Sequence, residues 1–300
     1  MDRALKRFVE IQGVLRRLRA SRKRPKETFS DATIVLVYYL SVLNNQSRAW
    51  ACLPRNWPVR MPASGLPSES QFSRRINSPG VAALLDKVER CVREIDAPPK
   101  NVVRVDILDA RPLPVGPHSH DRHAGYGRAA GGKAKGYKLH ALIDAAGRLV
   151  RWRLAPMNVD EREMARRMLK DLGPDAGYVL ADANYDSSKL FATARERGLQ
   201  LVAPRRQGKD KGLGHHRHDP ARLRCRDLLE NTQSEFGREL HARRGHIERI
   251  FGTAASTPEL LTHLPAWVRG RRRVHRWVQA KLVLAELHRI DLARREIRVA

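Results

Sequence analysis

Strand-like and helix-like segments alternate between residues 102 and 204, and few folds accommodate their order. Strand-like apolar or alternating runs cover residues 102–109, 136–144, 148–156, 178–182 and 199–204. Helix-like segments cover residues 160–172 and 187–197, and the turn sequence at 145–147 joins the second and third strands into a predicted hairpin. Three strands followed by alternating helices and strands predict an α/β fold, a mixed sheet flanked by helices.

Two prolines, Pro98 and Pro99, mark a domain boundary, because proline ends a helix and restricts the residue before it. Residues 1–100 show helical periodicity and predict a small helical domain that binds DNA, mediates dimerisation or only packs on the rest of the protein. Residues 101–300 form the predicted second domain, which ends in a long basic helix after Pro265. Trp277 on that helix is predicted to be a core residue.

The chain carries an excess of positive charge that favours a polyanionic partner. It contains 58 Lys and Arg residues against 32 Asp and Glu residues, a formal net charge of +26. Arginine outweighs lysine in runs such as 271–273, and the planar guanidinium group matches phosphate geometry. The composition therefore predicts nucleic-acid binding in preference to a basic surface that only keeps the protein in solution.

Cysteine usage and hydropathy indicate the compartment. Cys52, Cys91 and Cys225 are scattered and odd in number, which supports neither a disulfide framework nor a zinc site and favours a reducing cytosol. The first ten residues lack the apolar segment of a signal peptide, and no stretch approaches the roughly 18 apolar residues of a membrane span. We therefore expect a soluble intracellular protein with no membrane partner.

Three acidic residues are candidates for a metal site. Asp109 and Asp182 each end a strand-like run, and these two strands are predicted to be adjacent and central in the sheet. Glu248 lies in a basic, helix-like stretch, on the same helix face as Arg244 one turn before it. Hard divalent cations prefer oxygen ligands of this type, and two magnesium ions roughly 3.5 to 4 Å apart promote phosphodiester chemistry.

Other acids compete with these three. Asp106 precedes Asp109 by three residues on the same strand, so the two point to opposite faces and only one joins the site. We favour Asp109 because it lies at the predicted strand end, where the chain is accessible. Asp186 is predicted to cap the next helix together with Ser187. The rivals of Glu248, with less supporting context, are Glu235 and Glu239.

Histidine groups and glycine-rich loops have alternative interpretations. Transition-metal binding competes with phosphate contact, which we favour because partner ligands at zinc-like spacing are missing. The two groups are His118, His120 and His123, and His215, His216 and His218. Residues 125–133 have the glycines of a phosphate cradle without the ordered nucleotide-binding pattern. Residues 207–226 are predicted to be a basic loop over phosphate, with no regular element before about residue 223.

Six short motifs occur in an order that resembles a known family. They are DARPLPV at 109–115, KGYKLH at 135–140, DAAG at 144–147, PMNVDE at 156–161, VLADANYDS at 179–187 and RGHIERIFG at 244–252. Together they resemble the DDE transposases of bacterial insertion sequences over roughly residues 101–255. Residues 27–80 are similar to the leader region of such proteins.

The resemblance implies a ribonuclease H-like fold and metal-dependent cleavage and strand transfer of DNA at element ends and target DNA. It implies Mg²⁺, with Mn²⁺ as a substitute, bound by Asp109, Asp182 and Glu248. It further implies a homodimer on DNA, working at the nucleoid in a bacterial cytoplasm. The residues expected to contact or support DNA are Arg244, Arg249, Lys138 and Tyr185.

The chain departs from the family pattern at two positions. His241 replaces the tyrosine that precedes the family arginine by three residues, and Ala255 replaces a lysine after the glutamate. Neither change removes a metal ligand. Two alternatives stay open: a ribonuclease H-like nuclease without transposition, and a non-catalytic DNA-binding protein descended from a transposase.

Overall fold

The computed structural model describes residues 3–20, 27–59, 62, 65–98, 103–116, 118–174, 176–206, 218–230, 235–245, 261 and 264–299, with side chains to residue 295. The chain divides into two compact units. One unit, here called the helical unit, combines Met1–Pro98 with Ala254–Ala300. The other, here called the sheet unit, is Pro99–Thr253.

Helices with polar caps build the described part of the helical unit. Ser30 caps α2 by accepting a hydrogen bond from Thr33 N at 3.1 Å, and Ser68 forms a capping box with Gln71 at the start of α4. The elements are α1 (Arg3–Arg17), α2 (Asp31–Leu43), α3 (Arg48–Ala51), a 3-10 turn (Pro54–Asn56), α4 (Glu69–Arg75), α5 (Pro79–Glu94) and α10 (Arg271–Val299).

The C-terminal helix α10 packs against α1, α2 and α5. Val274, Trp277 and Val278 on α10 have no exposed surface, which confirms that Trp277 is a core residue. The sequence analysis assigned this helix to the second domain, whereas the contacts group it with the N-terminal helices. The apolar stripe of α10 finds its complement on helices from the other end of the chain, and sequence order does not show that pairing.

A six-stranded mixed sheet forms the sheet unit. Its order is β2-β3-β1-β5-β6, and β4 pairs with β3 off this path. The pairs of β3 with β1, β2 and β4 are antiparallel, whereas β5 and β6 run parallel to β1. This confirms the predicted mixed sheet flanked by helices and preceded by a helical part. The strands are β1 (Arg104–Pro114), β2 (Gly125–Ala129), β3 (Gly132–Asp144), β4 (Leu149–Pro156), β5 (Gly177–Leu180) and β6 (Leu199–Val202).

Helices cover the sheet and close its core. In the described residues, α6 contacts β3, β4 and α7, while α7 and α8 contact β6. Buried apolar residues such as Leu108, Val179 and Leu180 pack with residues of these helices. The helices are α6 (Glu161–Lys170), α7 (Ser188–Arg195), α8 (Pro220–Glu230) and α9 (Phe236–Ala242), with a 3-10 turn at Ala183–Tyr185.

Strand β1 is longer than the sequence predicted, since it continues past Asp109 to Pro114. The prolines at 112 and 114 indicated an earlier end, because proline donates no hydrogen bond to a neighbouring strand. Pairing with β5 stops at Ile107, and beyond it β1 pairs with β3 alone among the described strands. The prolines therefore lie where the side of β1 that faced β5 forms no hydrogen bonds to a described strand. Asp109 lies within the strand and not at its end.

Two further segments differ from the prediction. Strand β2 and the first residues of β3 come from the glycine-rich segment to which no strand was assigned, because glycine has low strand propensity. Helix α8 begins at Pro220, earlier than expected, with Asp219 accepting a hydrogen bond from Ala221 N at 2.9 Å. Proline is favourable in a first helical turn. Residues 207–217 of the predicted loop lie outside the described residues.

No helix in the described ranges combines the length and apolar character that a membrane crossing requires.

The parallel pairing of β1 and β5 requires glycine at position 177. A Cβ added there would lie 2.1 Å from the Arg104 carbonyl oxygen, whereas nothing lies within 4 Å of one added at Gly173. We expect Gly177→Ala to lower the free energy of unfolding by about 1–3 kcal/mol, because backbone must move. Gly173→Ala, the matched control, should leave stability unchanged or slightly raised. Urea denaturation of both variants tests this, and equal stabilities would contradict it.

Candidate active site

The register of β1 and β5 brings Asp109 and Asp182 together. Ile107 is the partner of Leu180, so two residues further along the parallel strands Asp109 comes level with Asp182. Because side chains alternate along a strand, both carboxylates extend from equivalent positions. The two acids ranked first by the sequence analysis are therefore neighbours in the sheet unit.

Asp109 is held in an environment that disfavours its charge. It is half-buried, and its Oδ1 accepts a hydrogen bond from Ala110 N at 2.8 Å. Burial raises the pKa of Asp109 from 3.8 to about 6, with the charge of Asp182 adding to the increase. The Ala110 N–H and the Arg244 guanidinium act in the opposite direction on this pKa. A cation between the two carboxylates would relieve their repulsion.

Asp182 follows β5 and begins a 3-10 turn. Its Oδ1 accepts from Asn184 N at 2.9 Å and its Oδ2 from Asn184 Nδ2 at 3.3 Å. These bonds to a residue two positions ahead orient the carboxylate at the strand end. Asp182 is therefore the N-cap of the short turn Ala183–Tyr185, as well as the partner of Asp109.

The region after α9 supplies a positive charge to the pair. Arg244 lies just beyond α9, where Arg244 N donates to His241 O at 2.9 Å. The effect of its guanidinium on the pKa values of Asp109 and Tyr185 places that charge near both side chains. An arginine here can contact a phosphate held against the acids.

His241, one of the departures from the family pattern, contacts the chain beside Asp182. Its Nε2 donates to the Ala181 carbonyl at 3.4 Å, and burial lowers the pKa of the ring. The contact joins α9 to the residue that precedes Asp182. The histidine thus has a local structural role at the position where the family carries tyrosine.

Lys138 and Tyr185, which are expected to contact or support DNA, are buried in the sheet unit. Lys138 is 7% exposed and pairs with Glu161 at the start of α6. Tyr185 is 1% exposed, and burial, then the charges of Glu161 and Asp109, raise its pKa well above its usual value. Both side chains are therefore shielded from solvent within the sheet unit.

Glu161 is a site residue that the sequence analysis did not select. Its charge acts on Asp109 and Tyr185, and its Oε1 pairs with Lys138. The available signal was the PMNVDE motif, in which Asp160 caps α6 and places Glu161 at its first turn. Residue type and spacing alone did not distinguish Glu161 from other acids at the starts of helices.

The rival acids have other partners. Asp106 has no exposed surface and pairs with Arg104, two residues before it on β1. Asp186 accepts from Arg222 Nε and Nη2, each at 2.8 Å, while Ser187 is the N-cap residue of α7. Glu235 and Glu239 are exposed at the start of α9 and in its body.

Several other predicted site residues lie outside the described residues. Glu248, Arg249 and Ala255 lie outside the described residues, as do His215 and His216. Among the residues that the structure describes, no three His, Cys, Asp or Glu side chains are grouped closely enough to hold a metal ion. His218 lies 3.1 Å from Arg222 Nη1 through its Nδ1.

A basic cavity lies beside the pair on the α9 side. It has a volume of about 490 Å³, and His241, which contacts Ala181, is one of its lining residues. Two acids, Asp186 and Glu230, and the buried Cys225 also line it. The arginines of its wall are Arg205, Arg222, Arg226 and Arg238.

The raised pKa of Asp109 has a consequence for stability without metal. A carboxyl with a raised folded pKa contributes its full stabilisation below pH 3.8 and loses it as the pH rises through about 6. We therefore expect Asp109→Asn to raise the free energy of unfolding at pH 8, in a metal chelator, by up to about 3 kcal/mol. The gain should shrink between pH 8 and pH 4, as urea denaturation would measure.

Asp160→Asn is the control of opposite sign. The hydrogen bond from Arg162 lowers the pKa of Asp160 to about 2. The contribution of the Asp160 carboxylate to the free energy of unfolding is therefore present above pH 3.8 and lost towards pH 2. At pH 8 this variant should be no more stable than the parent protein. A stabilised Asp160→Asn, or an Asp109→Asn without gain, would contradict the electrostatic account.

Comparison with known proteins identifies the family. A model of the transposase DDE domain matches residues 104–283. A structure of piggyBac transposase, in a synaptic complex with hairpin DNA, aligns over 96% of this chain and 73% of that chain, at 9% identity and a TM-score of 0.49. No curated protein is significantly similar in sequence. Because the family match spans more than half of its residues, the chain belongs to the transposase DDE domain family.

Proposed function

We propose that the protein is a metal-dependent DNA transposase that cleaves DNA at the ends of an insertion sequence and transfers the freed strand to target DNA. The observation that carries the proposal is the register of β1 and β5, which makes Asp109 and Asp182 neighbours beside the charge of Arg244. Membership of the family supports phosphodiester chemistry on DNA as the proposed reaction of these acids.

The described residues fit a divalent cation. Two carboxylates lie side by side, and burial raises the pKa of one of them, so a bound cation would stabilise both in their charged form. Oxygen donors of this type suit Mg²⁺, with Mn²⁺ as a substitute, and Glu248 is the proposed third ligand. When bound, such ions favour ionisation of the attacking hydroxyl and stabilise charge on the leaving oxygen.

The remaining residues position and protect the reaction. In the first step a water oxygen bonds to phosphorus, the bond from phosphorus to the 3' oxygen breaks, and that oxygen leaves as a hydroxyl. In the second step the oxygen of this hydroxyl bonds to a target phosphorus, the bond from that phosphorus to the target 3' oxygen breaks, and the target 3' oxygen leaves as a hydroxyl. One ester bond replaces another, so no external energy source is needed. Arg244 stabilises negative charge on the phosphate. Lys138 holds Glu161, and buried Tyr185 keeps water from the rear of the site.

DNA is the proposed partner for reasons of charge. A formal net charge of +26 favours a polyanion. An element has two ends, and each end needs its own set of acids. We therefore include a homodimer on DNA, acting at the bacterial nucleoid, in the proposal.

The central test is Asp182→Asn. The asparagine retains an acceptor for Asn184 N, so folding and DNA binding should survive while Mg²⁺-dependent nicking falls to the rate without metal. Asp171→Asn is the matched control, because Asp171 is an exposed acid at the end of α6. Nicking of a supercoiled plasmid, with Mg²⁺ and with a chelator, gives the measurement. Normal nicking by Asp182→Asn would reject the assignment.

The same assay separates the two alternatives. A nuclease without transposition would nick DNA but would not join a labelled 3' end to a second plasmid. A non-catalytic DNA-binding protein would bind the plasmid and do neither. Joined products from the parent protein, lost in Glu248→Gln as well as Asp182→Asn, would support transposition and the third ligand together.

A further inference from the structure

A two-sided β-ribbon extends the sheet unit beyond the catalytic pair. Strand β2 pairs with the first residues of β3, with Tyr126 opposite Lys135 and Arg128 opposite Lys133. Directly opposed residues of an antiparallel pair lie on the same face, and alternate residues of a strand share a face. One face of the ribbon therefore carries one aromatic and three basic side chains: Tyr126, Arg128, Lys133 and Lys135.

The opposite face of the ribbon is made entirely of small residues. It consists of Gly125, Gly127, Ala129, Gly132, Ala134 and Gly136. A Cβ added at Gly127 would lie 2.5 Å from the Met157 carbonyl oxygen, and one at Gly125 would lie 2.0 Å from Asn158 Oδ1. The ribbon thus lies directly on the turn after β4, because no side chain on that face is larger than a methyl group. The contact fixes which face is presented outward.

The outward face is exposed and positively charged. Tyr126 is 59% exposed, and Lys133 Nζ lies 5.6 Å from the centre of its ring. Arg128 and Lys133 are exposed, and neither forms an ion pair with an acid in the part of the chain that the structure describes. Lys135 donates to the Ser119 carbonyl at 3.1 Å, which ties the ribbon to the preceding loop.

We propose that the outward face of this ribbon binds the phosphate backbone of duplex DNA several base pairs from the scissile phosphate. The inference deepens the proposed function and rests on it. Arg128 and Lys133 are free to contact phosphate, and the Tyr126 hydroxyl is a further donor of the type used in phosphate contacts. Duplex DNA is the occupant that fits, because the face is cationic and the proposed reaction acts on duplex DNA at the sheet that carries the ribbon.

The position of the ribbon agrees with DNA held at the acids. Lys133, Lys135 and Ala141 are separated by even numbers of residues along β3, so they share one face of the strand. The partner of Ala141 on β1 is Asp109. Lys135 and Lys133 precede Ala141 by six and eight residues, or about 20 to 27 Å at roughly 3.4 Å per residue. Duplex DNA rises by about 3.4 Å per base pair. The ribbon is therefore expected to contact DNA about six to eight base pairs from the cleaved bond.

The test compares two variants with the same loss of charge. Arg128→Ala/Lys133→Ala removes the exposed ribbon cations, and Lys170→Ala/Lys189→Ala removes two exposed lysines from α6 and α7. Binding of each protein to a mixed-sequence duplex is measured between about 50 and 200 mM salt, with a chelator to prevent cleavage. The slope of log K against log salt should fall by about two for the ribbon variant and by less for the control.

Unchanged thermal unfolding shows that the variants remain folded. Equal slopes for the two variants would overturn the inference, because the ribbon would then contribute only net charge. A second measurement places a photo-reactive phenylalanine analogue at position 126 or 170. Cross-linking to the duplex from position 126 alone is expected, and none above the level from position 170 would overturn the inference.

Failure of the proposed function gives a different result. If the parent protein never nicks DNA with Mg²⁺, the catalytic proposal fails, whatever the ribbon variants show. If the parent nicks DNA and both variants bind with equal slopes, the ribbon inference fails and the catalytic proposal stands.

Discussion

The parallel pairing of β1 with β5 is the interaction on which the candidate site depends. It extends over only four residue pairs, from Arg104 with Gly177 to Ile107 with Leu180. Two residues beyond its end, Asp109 on β1 comes level with Asp182, which follows β5. Beyond Ile107, β1 pairs with β3 alone among the described strands and continues through two prolines. One short ladder thus positions the acids and allows the extension that supports the ribbon.

Two sets of contacts at the site have opposite effects on the ionisation of Asp109. Burial and mutual repulsion disfavour the charged form of Asp109, whereas Arg244 and the Ala110 N–H favour it. Such unfavourable pairs of acids are typical of sites that bind a cation, because the cation supplies the missing charge. Glu161 pairs with Lys138, and its charge also raises the pKa of Asp109. The favourable contacts therefore only partly offset the cost of ionising Asp109.

Much of the sheet unit was predictable from the sequence, and its misassigned segments have physical reasons. The order of strands and helices predicted the mixed sheet, and strand-end positions selected Asp109 and Asp182. Glycine and proline caused the errors, since β2 is glycine-rich and β1 ends in prolines. Both segments form strands because of their surroundings. Gly127 of β2 lies against Met157, and Pro112 lies in a part of β1 where the missing N–H of proline costs no hydrogen bond between strands.

The sequence by itself determined the family, the net charge and the identity of the acids, because ordered motifs and side-chain chemistry are visible without coordinates. Only the tertiary structure decided which residues meet. Strand register placed Asp109 beside Asp182, burial withdrew Lys138 and Tyr185 from the surface, and packing grouped α10 with helices from the opposite end of the chain. These outcomes depend on long-range contacts, whose partners are far apart in sequence, and local periodicity contains no information about such partners.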